Sequence, residues 1–219
     1  MAQRLRIRSF ILLLILGVLF LGGTAFAAGW SLKVVSIEVN GAKVTQTVLQ
    51  ITRPQQNGSL NVPVRQGDSF GVGTVIAVPA RTTLLLESSH SNRVRLLPGS
   101  RLRVLAGSEL GEEFGQEAGQ SFFDVKRALN FFNVRHGRFQ AIVKGTRYSV
   151  KVVPGKEIIF EVEEGRVVIE RQVKLKTDEG TTALTEILRA GERRSYRLDV
   201  DEYLPDFKRH GEPEAHSWQ

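Results

Sequence analysis

From about residue 33 onward the chain sets apolar and polar side chains in alternation, in short runs broken by turn residues. That is the period-2 signature of strands with one face in a core and one in water. Lys33-Val34-Val35-Ser36-Ile37-Glu38-Val39 leads into Asn40-Gly41, then into Val44-Thr45-Gln46-Thr47-Val48-Leu49-Gln50-Ile51. Asn-Gly between two such runs predicts a tight hairpin, because both residues accept positive φ. A polar loop at 53–58 follows, and strands are predicted at 62–64, 74–78, 83–87, 94–97 and 102–105, with Gly67-Asp68, Pro79 and Pro98-Gly99 as turns. Further strands are predicted at 131–134, 138–143, 147–153, 157–163 and 166–174. Two more are expected at 182–188 and 194–198, with 183–188 open to a helical alternative.

Two stretches depart from this pattern. Residues 107–119 are acidic and glycine-rich and predict a mobile loop. Residues 121–128 fit a short helix with Phe122, Val125 and Leu129 on one face. From 199 to 219 the chain is polar, with Pro205, Gly211 and Pro213, and reads as a flexible tail. A weak echo relates Val94 to Leu102 with Phe160 to Ile169, each a strand, a glycine turn and a strand. The expected fold is all-β, a meandering sandwich or a solenoid-like stack with one short helix.

The first 27 residues have a different character. Arg4, Arg6 and Arg8 precede an uncharged apolar run at 10–21, Gly22-Gly23 breaks it, and Ala25-Phe26-Ala27 places small residues where signal peptidase requires them. The expectation is export, with cleavage between Ala27 and Ala28. An uncleaved inner-membrane anchor is the alternative, since 9–32 carries no charge, and it gives the same sidedness. The exported part is expected to be one β-domain over 28–198, in a periplasmic or other extracytoplasmic compartment.

Charge and composition narrow the chemistry. Of 30 basic and 23 acidic residues, the leader holds three Arg and no acid, so the exported part carries a net charge of +4. That excess is modest and spread out, and no nucleic-acid role is expected. The chain has no cysteine, which removes disulfides, thiol nucleophiles and lipid attachment after the leader. His90, His136, His210 and His216 stand in no metal-ligand spacing and read as solvated side chains. Gly71-Val72-Gly73 and Lys144-Gly145-Thr146 lack the glycine spacing of nucleotide-binding loops. Glu161, Glu163 and Glu164, and the basic Arg189, Arg193, Arg194 and Arg197, read as hydrated strand faces. No cofactor, metal or catalytic set is expected.

One family fits these stretches. The chain resembles the FecR-like domain at Gly67-Asp68 to Gly73-Thr74-Val75-Ile76, Val94 to Leu102, Gly137-Arg138-Phe139, Lys144 to Val150, Val162 to Val167 and Leu188 to Glu192, together spanning about 60–195. Gly145, Thr146, Tyr148, Gly165 and Gly191 are its structural motif: glycines that permit sharp turns, Thr146 favouring extended backbone, and Tyr148 sharing a face with Val150. The resemblance implies an extracytoplasmic β-domain used for recognition. Regulators of that family also carry a cytoplasmic anti-sigma segment, which is not expected ahead of a hydrophobic run that begins at residue 10.

The functional expectation is a non-enzymatic recognition or scaffold module of the cell envelope, with a signalling connection and an envelope protein or polymer as partner. An envelope polysaccharide- or peptide-acting enzyme and an accessory subunit of an envelope assembly are the alternatives. Any membrane contact is expected only through an uncleaved leader. Phe114, Phe122 and Phe123, beside the predicted loop, are the candidate partner contacts.

Overall fold

The computed structural model describes residues 29–55, 58–126, 130–175, 181–199 and 203–204, and all regular structure among them is strand. The chain deals its strands alternately to two facing sheets. β1 (Leu32–Val39) and β2 (Ala42–Val44) lie in a front sheet, and β3 (Gln46–Thr52) and β4 (Leu60–Arg65) in a back sheet. β5 (Ser69–Phe70) returns to the front and β6 (Val75–Ala77) to the back. β7 (Thr82–Ser88) and β8 (Arg93–Leu96) form a front hairpin, and β9 (Arg101–Ser108) pairs at the back with the first half of β10 (Gly111–Val125). β11 (Phe131–His136) and β12 (Phe139–Val143) are a back hairpin, and β13 (Thr146–Val153) and β14 (Glu157–Glu164) a front one. β15 (Arg166–Leu175) and β16 (Thr181–Arg189) pair at the back, β17 (Arg193–Arg197) joins the front, and β18 (Tyr203–Leu204) lies parallel to the end of β15.

Register gives the front order β1-β7-β8-β10-β13-β14-β17, with β2 and β5 along the other edge of β1, and the back order β4-β3-β6-β9-β10-β11-β12-β15-β16, with β18 beside the end of β15. Both sheets therefore advance along one axis in chain order, and β10 belongs to both. Pairing is antiparallel except for β10 with β11 and β15 with β18. β10 changes sheet at Gly119, whose φ is +73° and where an added Cβ would lie 2.5 Å from the Ser100 Cα, so only glycine fits.

Inward side chains of the two sheets meet in one core that runs from Leu32 to Tyr196. Phe114 of the back lies 6.2 Å, ring to ring, from Phe123 of the front, and Phe139 of the back lies 5.1 Å from Tyr196 of the front. Aromatic pairs at these separations add to the area they bury. At the C-terminal end the edge strands turn charge inward: Glu186 of β16 accepts bonds from Arg194 Nε and Tyr196 Oη of β17, each at 2.7 Å. Such a closure makes the edge a poor template for further strands.

The all-β expectation holds, and Asn40-Gly41 makes the predicted hairpin with φ of 54° and 80°. Three of the expected elements are corrected. Residues 107–119 are not a long loop but the end of β9, a turn at 109–110 and the paired first half of β10. Residues 121–125 of the proposed helix continue β10, with Ser121, Phe123 and Val125 inward. The period of two is disguised there by the inward Ser121, whose hydroxyl is satisfied by Gln116 Oε1 at 2.6 Å. The stretch 183–188 is strand, not helix. Tyr203–Leu204 is strand where a tail was expected. The leader, its cleavage point and the remainder of the tail lie outside the described residues.

Candidate functional site

The corners between sheets gather at two ends of the sandwich. At one, the near end, lie Ser88, Val125, Thr146 and Glu164 of the front and Ser108, Gly111, Val143, Arg166 and Arg189 of the back. The described chain enters there at Gly29. Trp30 lies over Gly107, where an added Cβ would meet the indole at 2.1 Å, and its ring sits 6.2 Å from Phe114. Its Nε1 donates to Glu112 Oε1 at 3.0 Å.

Glu112 is 1% exposed and gathers two further partners: His90 Nδ1 at 2.9 Å and Asn92 Nδ2, which donates to Oε2 at 3.3 Å. Asn92 Oδ1 in turn accepts the Lys126 N–H at 2.9 Å. A buried carboxylate is stable only where donors replace water, and this one has three. The His90–Glu112 contact has the spacing of an acid-oriented histidine, but the same carboxylate holds Trp30 and Asn92. The cluster fastens β1 and the β7–β8 turn to β10. His90 was expected to be solvated and is instead part of this clamp. Nothing in the sequence spacing joins 30, 90, 92 and 112; register alone brings them together.

The outer face of the front sheet is charged. Lys33, Glu87, Arg93, Asp124, Arg147 and Glu164 stand opposite one another on six successive strands, alternating in sign. Arg93 Nε donates to Glu87 at 2.7 Å, and Arg147 pairs with Glu164. The next row holds Leu85, Arg95, Phe122, Ser149 and Glu161. A shallow groove of about 700 Å³ opens beside β1, lined by Lys33, Thr45, Gln46, Arg65 and Glu87 among others. On the back sheet Glu117 takes Arg101 at 2.5 Å and Arg103 at 2.7 Å. Partial burial raises its pKa, but the two guanidinium bonds outweigh this and hold it below the usual carboxylate value.

The structure separates the three candidate phenylalanines. Phe114 and Phe123 are 0% and 1% exposed and belong to the core, which corrects their reading as partner contacts. Phe122 faces outward, half-buried, because alternation along β10 points it away from its neighbours. Gly145, Gly165 and Gly191 have φ of 63°, 82° and 84° and make corners between the sheets. Thr146 donates from Oγ1 to the Arg166 carbonyl at 2.9 Å, tying two corners together, and Tyr148 and Val150 are buried on one face. Glu161 and Glu163 lie on a solvated face. The four arginines form no single patch: Arg194 binds Glu186, Arg197 binds Asp199 and Arg193 faces Glu161. His136 Nδ1 lies 2.7 Å from the Gln116 carbonyl, and His210 and His216 lie outside the described residues.

No family model matches the chain, and no curated protein matches it. Among solved structures, two crystal structures of a candidate anti-sigma factor from Parabacteroides distasonis ATCC 8503, at 2.50 and 1.65 Å resolution, align at 20% identity. The alignment covers 57% of this chain and 60% of that one, with a TM-score of 0.41. The chain thus spans less than two-thirds of that protein, and a likeness of this degree transfers no function.

Proposed function

We propose that the chain is an exported, non-catalytic recognition or scaffold module of the cell envelope. The observation that carries the reading is the outer face of the front sheet, where Phe122 stands between Arg95 and Ser149 beside a ladder of alternating charge. An aromatic beside a cation on a solvated sheet face suits protein or polymer contacts rather than enclosure of a small substrate. The arginine-flanked leader and the FecR-like motif residues support an extracytoplasmic place and a signalling connection. The clamp at Glu112 supports the non-catalytic reading, because its carboxylate is committed to three structural partners.

The test compares capture with stability. Phe122→Ala is expected to weaken retention of the envelope partner in affinity capture while shifting the melting temperature little. Phe114→Ala or Phe123→Ala should cost about 3–5 kcal/mol, as core deletions do. Equal loss of melting temperature and capture in Phe122→Ala would remove this face from the proposal. Turnover of an envelope polymer by the pure chain, abolished by His90→Ala, would replace the reading with the enzymatic one.

A further inference from the structure

The geometry points to the near end of the sandwich, on the outer face of the back sheet, as a seat for an anionic lipid bilayer. The proposal rests on the export reading and adds to it a membrane contact made by the folded domain itself.

The first observation is a row of like charges. Arg166 and Arg189 are direct cross-strand partners on β15 and β16, and Lys144 follows Val143, the partner of Val167, on β12. Val143, Val167 and Leu188 point into the core, so Lys144, Arg166 and Arg189 all point outward, and all three are exposed. Adjacent strands lie about 4.8 Å apart, so three cations share one edge with no acid interposed. Like charges directly opposite destabilise a sheet. None of the three has an ion-pair partner among the described residues. The nearby acids are engaged or few: Glu164 pairs with Arg147, and Glu192 accepts the backbone N–H of Arg189 at 2.6 Å. Exposed Glu109 and Glu163 remain.

The second observation is apolar. Ile142, Val168 and Ile187 are mutual partners on the same outward face, one step inward from the cations, and Ile187 is 48% exposed. At the same end Leu110 is 61% exposed in the β9–β10 turn, beside the half-buried Phe131. Cations bordering exposed aliphatic side chains fit an interface of phosphate headgroups over acyl chains.

The third observation selects the bilayer over other anionic surfaces. Trp30 is clamped at this end, and only residues 22–29 separate it from the apolar run at 10–21. Eight residues span at most about 28 Å. While the leader is attached, the domain is therefore held with this end toward the membrane, and its cations lie within reach of anionic headgroups.

The chain has no cysteine, so a single one can be placed at will. The chain as recovered from the envelope, carrying Leu110→Cys or, at the opposite end, Lys156→Cys with a polarity-sensitive fluorophore, is mixed with vesicles of phosphatidylcholine alone or with phosphatidylglycerol. The expected result is a blue shift at position 110 and none at 156, dependent on phosphatidylglycerol and reversed by salt in the unmutated background. The triple variant K144Q/R166Q/R189Q should lower partitioning roughly 100-fold, taking about 1 kcal/mol per cation and tenfold per 1.4 kcal/mol. Equal response to both vesicle types, insensitivity to salt, or unchanged partitioning of the triple variant would overturn the proposal. So would a shift at 110 without vesicles that grows with protein concentration, which would make a second copy the occupant. The vesicle result does not depend on export: a chain that binds vesicles but is recovered in the cytoplasm loses the export reading alone.

Discussion

Glu112 is 1% exposed among apolar strands and is held there by Trp30, His90 and Asn92. Replacing it leaves buried donors without an acceptor, a loss of the kind that outweighs the net value of the bonds themselves. Glu112→Ala is expected to lower unfolding stability by about 2–4 kcal/mol in urea titration, and Trp30→Phe, which removes one exchangeable donor, by about 1 kcal/mol. Tyr148 is the opposite case. Its hydroxyl is buried without a hydrogen-bond partner among the described residues, so Tyr148→Phe should be neutral or stabilising by up to about 1 kcal/mol. Burial drives the Tyr148 pKa well above the phenol value of 10.0. Burial, and then its bond to Glu186, does the same to Tyr196. The folded state thus keeps protons that the unfolded chain releases. Stability is intact below about pH 10 and falls as pH rises above it. Urea midpoints measured on the alkaline side should decline, and the decline should flatten in Tyr148→Phe and Tyr196→Phe. A midpoint independent of pH there would contradict the burial of both rings.

The corners between the sheets are made by glycines with different obligations. Gly145 has φ of +63° and open space around its missing Cβ, so Gly145→Ala should cost only the backbone strain of about 1 kcal/mol. Gly165 adds a contact, since a Cβ would lie 2.9 Å from the Gly145 carbonyl oxygen. Gly119 is the most demanding, with backbone atoms of Ser100 at 2.5 and 2.8 Å from that position. Losses in the urea midpoint should therefore rank Gly119→Ala above Gly165→Ala above Gly145→Ala. Gly145 and Gly165 stand in motifs that sequence spacing exposes. Gly119 sits in a stretch read as a loop, because Gly107 to Gly119 combines acids and glycines that look solvated. In the fold Gly107 and Gly111 lie under the rings of Trp30 and Phe131, and Glu113 and Glu117 pair with arginines of neighbouring strands. Strands built on regular alternation, such as β13 and β14, were legible to within a residue or two. β10 was not, because its inward positions include the polar Glu112, Gln116 and Ser121: Gln116 and Ser121 satisfy each other and the Ala118 carbonyl within the strand, and Glu112 is satisfied by Asn92, distant in sequence. The clamp was illegible for the same reason. Phe114 and Phe123 were misplaced once the strand around them was missed, while the outward Phe122 kept its candidacy.

Across the whole molecule, strands enter both sheets in chain order, yet the first described residues are bound to β10 in the middle of the stack rather than left at its first edge. This has a consequence for maturation. The cleavage expected between Ala27 and Ala28 would fall three residues before Trp30, and a peptidase needs several residues in extended form around the cut. With Trp30 seated over Gly107 and bonded to Glu112, the third residue beyond that cut is held against the folded domain. Processing is therefore expected to precede folding, or to require release of the clamp. N-terminal mass spectrometry of the exported chain should begin at Ala28. Refolded precursor offered to signal peptidase in detergent should be cut more slowly than precursor carrying Trp30→Ala. Variants with equal loss of stability elsewhere, such as Gly165→Ala, control for general loosening and should leave the rate near that of the unmutated precursor. If those variants accelerate cleavage as much as Trp30→Ala does, global opening and not the clamp governs access. If intact Met1 is recovered on the envelope protein, the leader is an anchor, and the clamp then sets the distance between domain and bilayer.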